Sequence, residues 1–236
     1  MMTKTALVTG AGQGLGLSFT KELLSRGYFV AALEFKVSDE LRALECDNLQ
    51  IIECDVSSPE SVANAGKVMK AESLNLIINN AGIWLDRKRR RLLDPEFEFE
   101  TMIKQYEVNA LGVVRICREF MPKVLAAEGK KTVINLSSEA GSIGEGWRKG
   151  EFGYCMSKAA QNMATKMMHN DFAEQGIKFY AIHPGWMLTP QGCAGAEEGT
   201  WPEQHPDDSA RVLVDMAEGE PREGLYYDIE GKEWQW

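Results

Sequence analysis

The sequence predicts an α/β fold with a doubly wound parallel sheet, formed by a single domain that covers residues 1–236. Short apolar runs typical of buried strands alternate with helical patterns almost to the end of the chain. A glycine-rich turn joins the first of these strands to the first helix, as in nucleotide-binding sheets of this class. No repeat, low-complexity tract or linker interrupts the pattern. Right-handed strand–helix–strand units leave few other topologies.

Strands are predicted from apolar runs that are bounded by turn residues, and helices are predicted from amphipathic periodicity. The predicted strands are Thr5–Thr9, Tyr28–Leu33, Leu49–Glu53, Leu74–Ile78, Thr132–Leu136, Lys178–Ile182 and Leu225–Asp228. The predicted helices run from the glycine turn to Arg26, over Asp39–Glu45, from Ser58-Pro59 to Ala71, from a cap at Asp94-Pro95 through Asn109 to Ala127, over Tyr154–Glu174 and over Asp207–Ala217. The stretch Pro190–Pro206 is predicted to be a long loop, of the kind that often forms a lid.

Composition and charge exclude several classes of function. With a net charge of −9, the chain is not expected to bind nucleic acid or an anionic membrane. No apolar run approaches the roughly 18 residues that a membrane-spanning helix needs. The five cysteines show no CxxC spacing and are expected to be free thiols in a reducing compartment. Because the first strand begins at Thr5, no room is left for a signal peptide, and a cytoplasmic protein is expected.

The glycine-rich turn predicts a site for a phosphate group. Gly10 allows the tight turn, Gly14 lets a pyrophosphate approach the backbone, and Gly16 lets the helix pack close to the strand. Backbone N–H groups and the positive end of the helix dipole converge at such a turn. An ordinary strand–helix connection is the alternative. The preceding strand, the following helix and the acidic Glu34 at the end of the next strand favour a dinucleotide.

Two carboxylates follow neighbouring strands and have two readings each. Glu34 is placed to accept hydrogen bonds from an adenosine ribose, and the alternative is a solvated loop carboxylate. Asp55 is placed to bond an adenine edge or to cap the following helix, and the two roles are compatible.

Tyr154 and Lys158 are four residues apart on a predicted helix, so their side chains share one face. Such a pair is common by chance and is usually on the surface. A catalytic role for the pair is favoured because Ser138, a residue with a hydroxyl at the end of a predicted strand, precedes it in the chain. The three supply a proton donor, a cation and a hydroxyl that can orient a carbonyl oxygen. An ammonium about 4 Å from the phenol would lower its pKa toward the useful range.

The remaining candidates are ambiguous from the residues alone. Asn109 lies in the middle of a predicted helix, where a satisfied surface amide is the more common case. His183 precedes Pro184 and has no evident acidic partner, so a structural role is expected. His169 and His205 lack ligand-like spacing, and no metal site is predicted.

Taken together, these motifs resemble the short-chain dehydrogenase/reductase family, which has a Rossmann fold. The resemblance covers nearly the whole chain, and it extends more loosely to the C-factor and sniffer-type carbonyl reductases through the segment from Gly224 to Lys232. The motifs are Thr9–Gly16, Asp55, Asn79-Asn80-Ala81-Gly82, Asn109, Ser138, Tyr154-Cys-Met-Ser-Lys158, and Pro184-Gly185 with Thr189.

The resemblance implies a role for each matching residue. Tyr154 would be the acid/base, and Ser138 would orient the carbonyl. Lys158 would hold the nicotinamide ribose and lower the pKa of Tyr154, and Asn109 would anchor a water in a proton relay. Thr189 would contact the carboxamide. The implied cofactor-binding set is Gly10, Gln13, Gly14, Leu15, Gly16, Glu34, Asp55, Val56, Asn80, Ala81, Gly82, Tyr154, Lys158, Pro184, Gly185 and Thr189. The Ser138–Tyr154 segment is a few residues longer than is usual in the family, which affects the substrate loop.

The expected protein is an oxidoreductase that uses a nicotinamide dinucleotide to interconvert an alcohol and a carbonyl. NAD is expected over NADP, because Glu34 would repel the extra phosphate and Gln13 places no cation in the turn. Lys36 would blunt this preference. A redox sensor or scaffold that binds NAD(P) without turnover is the alternative class, and the Ser138–Tyr154–Lys158 set argues against it.

Three surface features complete the sequence-based expectations. Apolar residues on more than one side of two helices predict a homodimer or homotetramer; they include Val113, Val114, Ile116, Met163, Met167 and Met168. The basic run Arg87–Arg91 is a solvated loop, a set of ion pairs with Glu96, Glu98 and Glu100, or a site that attracts an anionic substrate. Trp84, Trp147, Trp186, Met187 and Trp201 line an apolar substrate pocket or belong to the core.

Overall fold

The computed structural model of the protein describes residues 4–196 and 199–236. The strands of these residues are β1 (Thr5–Thr9), β2 (Phe29–Glu34), β3 (Leu49–Glu53), β4 (Leu76–Asn79), β5 (Lys131–Leu136), β6 (Ile177–His183) and β7 (Tyr226–Asp228). They form one sheet in the order β3-β2-β1-β4-β5-β6-β7, and all neighbouring strands are parallel. The predicted doubly wound parallel sheet is confirmed.

Helices cover both faces of the sheet. Their bounds are α1 (Gly14–Ser25), α2 (Asp39–Arg42), α3 (Pro59–Val68), α4 (Phe99–Tyr106), α5 (Gly112–Leu125), α6 (Phe152–Phe172), α7 (Pro190–Ala194) and α8 (Pro206–Glu218). A π-helical turn at Glu107–Leu111 joins α4 to α5, and 3₁₀ turns lie at Glu139–Gly141 and Ala173–Gln175.

The alternation of side chains along the strands divides the core into two layers. In β1, Ala6 and Val8 belong to the layer that packs against α1 and α8, whereas Leu7 belongs to the layer under α3 and α5. Phe19 and Leu213 fill the first layer and Phe120 the second. Both layers are apolar, which is why the strands read as continuous hydrophobic runs in the sequence.

Several predicted element boundaries are wrong. The helix predicted from Asp94-Pro95 begins only at Phe99, because the Asp94 carboxylate accepts from the Arg91 N–H and closes a turn instead of capping a helix. The helix predicted to reach Ala71 ends at Val68. The predicted loop Pro190–Pro206 contains the short helix α7, and its residues 197–198 lie outside the described part of the chain.

The strand order reverses between β1 and β4, which diverge at their carboxyl ends and open a crevice there. The glycine turn follows β1, and Asn80–Gly82 follows β4. Ser138 follows β5, and Pro184 follows β6. The residues that the sequence singled out therefore come together at this edge of the sheet.

Candidate active site

The glycine turn after β1 is shaped for close approach of a ligand to the backbone. Gly10 and Gly14 have φ values of +63° and +50°, in the left-handed region that side chains disfavour. A Cβ on Gly16 would collide with the carbonyl oxygen of Gly10. Gln13 is the N-cap of α1, but no side chain caps the first N–H groups of this helix, and Leu15 is buried beneath it. The turn therefore offers uncapped backbone donors to an anion.

The segment after β4 fixes this turn in place. The Asn80 side-chain amide donates to the carbonyl oxygens of Thr9 and Gly10, each at 3.0 Å. The Thr9 hydroxyl accepts from the N–H groups of Asn80 and Ala81 at 3.1 and 3.0 Å. The asparagine thus links the ends of β1 and β4 across the crevice by backbone contacts.

Glu34 lies beside the turn, as predicted from its position after β2. Its carboxylate accepts hydrogen bonds from the Gly12 N–H and, at 3.0 Å, from the Phe35 N–H. It is half-buried. Both bonds hold a negative charge next to the glycine turn.

Asp55 does not cap the next helix. Its Oδ1 accepts from the Ser57 N–H at 2.8 Å and from the Ser57 hydroxyl at 2.6 Å, whereas Ser58 is the N-cap of α3. Of the two predicted roles for Asp55, the capping role is wrong. Val56, next to it, is buried against Gly112.

The segment after β6 closes the crevice from the other side. Pro184 follows the strand, and Gly185 has a φ of +81°. Thr189 caps α7 by accepting from the Gly192 N–H at 3.1 Å, and its methyl group lies directly against Gly14. The structure therefore brings Thr189 to the glycine turn although 175 positions separate them in the chain.

Ser138 and Tyr154 are adjacent at the end of β5. The Ser138 side chain lies close enough to the Tyr154 phenol to act against the rise of its pKa. The Ser138 hydroxyl donates to Glu139 Oε2 at 2.6 Å and accepts from the Ala140 N–H at 3.2 Å. The backbone carbonyl of Ser138 accepts from the buried Tyr226 hydroxyl, so β7 holds the serine in position.

Burial shifts the pKa values of Tyr154 and Lys158, both on α6, toward their neutral forms. Burial raises the pKa of Tyr154 above its usual value, and the Glu139 carboxylate raises it further, while Ser138 opposes these effects. Burial lowers the pKa of Lys158 to about 7. Lys158 Nζ donates to the Leu136 carbonyl at 2.6 Å and to Gln161 Oε1 at 3.0 Å, and it lies 5.9 Å from the Tyr154 ring centroid, farther than the roughly 4 Å considered from the sequence.

Asn109 is fully buried in the π-helical turn, so a surface amide is excluded. Its side chain donates to the Ile83 carbonyl and accepts from the Ile83 N–H, both at 2.8 Å, and it also donates to the Ser157 hydroxyl at 3.0 Å. These bonds hold the chain after Gly82 against α6. Turns of this type are frequent at functional sites.

A charged cluster beside Ser138 was not predicted. Arg148 donates to Glu139 through Nη2 and, at 3.0 Å, through Nε, and it donates to Glu151 through Nη1 at 2.7 Å. His183 Nδ1 lies 3.7 Å from Glu139 Oε2, so the expectation that His183 lacks an acidic neighbour is wrong. Burial nevertheless lowers the pKa of His183. The only signal in the sequence was the extended connection from Ser138 to Tyr154 that carries Arg148 and Glu151.

The loop after Gly82 forms a wall beside Tyr154. The rings of Trp84 and Tyr154 have centroids 5.7 Å apart, and Asp86 Oδ2 accepts from the Tyr154 N–H at 3.2 Å. Gly195, which ends α7, lies so close to the Trp84 ring that a Cβ would overlap it. The α7 segment therefore rests on Trp84 and covers this side of the crevice.

The other aromatic candidates have different environments. Trp147 is 68% exposed, Trp186 44% and Trp201 64%, so these three do not belong to the core. Met187 packs against the first core layer. The exposed indoles lie in the segments that follow β5 and β6, on the crevice side of the sheet.

The basic run Arg87–Arg91 is mostly exposed, and some of its charges are paired. Arg90 contacts Glu96, Arg89 Nε lies 3.8 Å from Glu151 Oε1, and Arg87 Nε donates to the Trp84 carbonyl at 3.0 Å. The ion-pair explanation therefore holds in part, with Glu151 as an additional partner.

The crevice, the glycine turn and the Ser138–Tyr154–Lys158 set define the class of an α/β dinucleotide-dependent oxidoreductase. Residues 4–196 match the profile of the short chain dehydrogenase family, and the chain belongs to that family. It is an oxidoreductase that transfers a hydride between a nicotinamide dinucleotide and an alcohol or carbonyl substrate.

Known proteins with similar sequences or folds agree with this assignment. The oxidoreductase UcpA of Escherichia coli is 28% identical over 236 residues, covering 96% of this chain and 84% of that protein. The NADPH-bound carbonyl reductase from chicken fatty liver superposes with a TM-score of 0.83 at 29% identity, with 100% of both chains covered. The carbonyl reductase Sniffer of D. melanogaster, at 22% identity and a TM-score of 0.84 over 100% of both chains, shares the fold.

The cradle of glycines and the uncapped start of α1 fit the pyrophosphate of a nicotinamide dinucleotide. No group of three or more His, Cys, Asp or Glu side chains placed to hold a metal ion occurs within residues 4–196 and 199–236. In the same ranges, no helix is both long and apolar enough to cross a membrane.

Proposed function

We propose that residues 1–236 form one dinucleotide-binding and catalytic domain that reduces a carbonyl compound, or oxidises the corresponding alcohol, at Ser138, Tyr154 and Lys158. The observation that carries this proposal is the adjacency of Ser138 and Tyr154 at the strand edge that also holds the glycine turn. A protein that only binds a dinucleotide has no need for this pair. When bound, the dinucleotide would supply the hydride.

Each residue of the set has a distinct task in the proposal. Tyr154 gives its phenolic proton to the carbonyl oxygen during reduction and takes it back from the alcohol during oxidation. Ser138 positions the oxygen that receives the proton. Lys158 would donate from Nζ to the nicotinamide ribose, and Asn109 holds the segment after Gly82 where a relay water would bind. Thr189, which lies against the glycine turn, would contact the carboxamide.

The dinucleotide is proposed to lie along the glycine turn with its adenosine half toward Asp55 and Val56. The backbone of the turn would hold the pyrophosphate, through Gly10, Gln13, Gly14, Leu15 and Gly16. The middle of the dinucleotide would contact Asn80, Ala81 and Gly82, and its nicotinamide end would contact Pro184 and Gly185.

NAD(H) is proposed as the preferred form. The Glu34 carboxylate lies beside the turn and would repel the additional phosphate of NADP, although the chicken carbonyl reductase binds NADPH. A lower dissociation constant for NADPH than for NADH would contradict this preference.

The substrate is proposed to be an apolar or aromatic carbonyl compound. Trp84 lies next to Tyr154, and the exposed indoles of Trp147 and Trp186 offer further apolar surface. The relevant experiment screens ketones, aldehydes and alcohols against NADH, NADPH and their oxidised forms, with absorbance at the nicotinamide band. Tight binding of a dinucleotide without turnover of any carbonyl or alcohol would favour the redox sensor or scaffold instead.

A homodimer or homotetramer is also proposed, acting in the cytoplasm. Met163 and Met167 on α6 are exposed, as are Phe99 and Ile103 on the neighbouring helix α4. Of the other apolar residues that the sequence singled out on these helices, Val114 is exposed, whereas Val113 and Ile116 are buried toward the sheet and Met168 packs against the second core layer. A monomer mass at micromolar concentration would contradict the proposal.

A further inference from the structure

Tyr154 is held through its backbone to residues 83–86, a short segment of the loop that follows β4. In the first turn of α6, the Tyr154 N–H donates to Asp86 Oδ2 at 3.2 Å. The Tyr154 carbonyl accepts from the Ser157 hydroxyl at 2.8 Å, and this hydroxyl accepts in turn from the Asn109 amide at 3.0 Å. Since Asn109 also bonds the backbone at the start of the 83–86 segment, the N–H and the carbonyl of the tyrosine are both linked to it.

The 83–86 segment is itself fixed to the helical turns that precede α5. Gln105, a fully buried residue of α4, accepts from the Leu85 N–H at 2.9 Å through its side-chain oxygen. Asn109, four positions further on, bonds both backbone groups of Ile83. The two side-chain amides thus lie one turn apart and hold alternate residues of the segment. The segment is therefore a fixed support, from which a side chain can hold a neighbouring helix in place.

The same segment also contacts the ring of Tyr154. The Trp84 and Tyr154 rings have centroids 5.7 Å apart and planes inclined by 36°. Trp84 and Asp86 are alternate residues, so one short stretch of chain contacts the tyrosine at its ring and at its backbone. The position of the phenolic oxygen therefore depends on how firmly this stretch is joined to α6.

Helix stability alone does not explain Asp86. The N-cap position of α6 belongs to Glu151, whose side chain makes no capping hydrogen bond, so the bond to the first turn comes from a residue 68 positions away. Asp86 Oδ1 is buried and, within residues 4–196 and 199–236, has no hydrogen-bond partner. Because a buried oxygen without a partner lowers stability, an aspartate at this position favours a functional role over a stabilising one.

We propose that Asp86 is a positioning residue for the reaction, which fixes the Tyr154 N–H and thereby holds the phenol against Trp84, where a carbonyl substrate would receive its proton. The inference rests on the proposed function, in which Tyr154 is the proton donor. Asp86 acts through Tyr154 and makes no contact with the substrate or the dinucleotide in this role. Since a displacement of about 1 Å at the reacting atoms costs up to about a hundredfold in rate, the loss of one such bond is measurable.

Three substitutions at Asp86 separate the hydrogen bond from the charge and from local damage. Asp86→Ala removes the acceptor, whereas Asp86→Asn removes the charge but keeps an oxygen with the same reach. Asp86→Ser serves if the alanine variant does not fold, since its hydroxyl accepts water but is one bond too short to reach the Tyr154 N–H. Asp94→Ala is the matched control, because Asp94 Oδ2 also accepts a backbone N–H in this loop, that of Arg91 at 2.8 Å.

The hold on Tyr154 can be measured without substrate or dinucleotide. By NMR, hydrogen exchange of the Tyr154 amide is expected to become at least about tenfold faster in Asp86→Ala and Asp86→Ser, because its hydrogen bond is lost. Exchange should stay within about threefold of wild type in Asp86→Asn and be unchanged in Asp94→Ala.

The position of the phenol has a signal of its own. The Trp84 ring displaces the NMR shifts of the Tyr154 ring protons, which Tyr154→Phe assigns and Trp84→Leu calibrates. We expect these shifts to move toward their Trp84→Leu values in Asp86→Ala, as the two rings separate, and to stay in place in Asp86→Asn. Ring shifts equal to wild type in Asp86→Ala and Asp86→Ser would overturn the proposal, whatever the rate of amide exchange.

Turnover gives the functional readout. With an active carbonyl substrate, kcat per dinucleotide-binding site is expected to fall about tenfold or more in Asp86→Ala and Asp86→Ser, and to stay within about threefold of wild type in Asp86→Asn. The dissociation constant for the dinucleotide should stay within about twofold, because Gln105 and Asn109 still hold the start of the segment. An unfolded fraction lowers the number of sites and the turnover together, and leaves kcat per site unchanged.

The outcomes distinguish this inference from the proposed function. Displaced ring shifts with an unchanged kcat would show that Asp86 is a helix cap only, and would overturn its role in the reaction. A fall in kcat that persists in Asp86→Asn would assign the effect to the charge instead of the hydrogen bond, which also contradicts the proposal. If the wild type turns over no carbonyl or alcohol, the proposed function fails, and the exchange rates and ring shifts alone then decide whether Asp86 positions Tyr154.

Discussion

The cofactor half and the substrate half of the crevice are held together by different kinds of bond. On the cofactor side, polar side chains bond to backbone groups: Asn80 to the carbonyls of Thr9 and Gly10, Glu34 to the Gly12 N–H, and Asn109 to Ile83. On the substrate side, side chains bond to side chains, as Ser138 does to Glu139 and Arg148 to Glu139 and Glu151.

This difference separates two functions. Backbone partners are neutral and fixed in place, and Glu34 is the one ionisable side chain among these bonds of the cofactor half, which therefore presents a preorganised surface. The substrate half is built from ionised and ionisable groups at short range, where protonation of one group changes its neighbours. Substitutions in the first half are expected to change dinucleotide affinity, and those in the second to change rate and pH dependence.

Tyr154→Phe is expected to have the largest effect of these variants. The effect should be confined to the substrate half, so that turnover falls while dinucleotide affinity is kept. Loss of the phenolic proton should lower kcat by about a thousandfold, within the usual range for removal of a general acid. The dissociation constant for the dinucleotide should stay within about twofold of wild type, by fluorescence titration. Tyr28→Phe serves as the control. Tyr28 directly precedes β2, at the end of the sheet opposite to the crevice, and its hydroxyl donates to Glu218. Substantial residual turnover in Tyr154→Phe would rule out the assigned proton donor.

Lys158→Met should affect both halves, because Lys158 Nζ lies 5.9 Å from the Tyr154 ring centroid and bonds the carboxyl end of β5 at Leu136. We expect kcat to fall about a hundredfold and dinucleotide affinity about tenfold. The Leu136 carbonyl keeps a donor in Gln161 Nε2, so the fold should persist. Lys166→Met, on an exposed turn of the same helix, is the control. An effect on kcat with no change in affinity would place Lys158 in the substrate half alone.

The cofactor half could be predicted from the sequence because its partners are backbone groups. Gly10, Gly14, Asn80 and Glu34 each meet a part of the chain that the order of strands already fixes. In the substrate half, Ser138, Tyr154 and Lys158 were predicted, but the ion pair beside Ser138 was not. Arg148 and Glu139 are two charges among many, and only the course of the long connection brings them together. The π-helical turn around Asn109 was missed as well, because a mid-helix asparagine carries no local signal of a change in helix type.

Glu34→Gln tests the cofactor half by itself. Glutamine keeps an oxygen that accepts from the Gly12 N–H, so the turn should hold its shape while the charge is removed. A carboxylate about 4–5 Å from a phosphate costs on the order of 1–4 kcal/mol, and the ratio of NADPH to NADH affinity should therefore rise at least about fivefold. Glu40→Gln, exposed on α2, is the control. An unchanged ratio would mean that Glu34 takes no part in the choice of dinucleotide.

The basic loop on the outer side of the substrate half should give the smallest effect. Arg90 is paired with Glu96 and Arg89 lies near Glu151, yet most of the run is exposed, and exposed pairs contribute only about 0–1 kcal/mol each. If the loop attracts anionic substrates, replacing Arg89, Arg90 and Arg91 by glutamine should raise KM for an anionic carbonyl about two- to threefold at low salt, since charges are screened beyond roughly 10 Å at 0.1 M. KM for a neutral carbonyl should not change.

The salt dependence distinguishes long-range attraction from local damage. In wild type, KM for the anionic substrate should rise with ionic strength, and in the triple variant this dependence should flatten. Lys67→Gln with Lys70→Gln provides the matched control, because both lysines are exposed near the C-terminal end of α3, away from the crevice. Equal changes for anionic and neutral substrates would identify the run as a solvated connection.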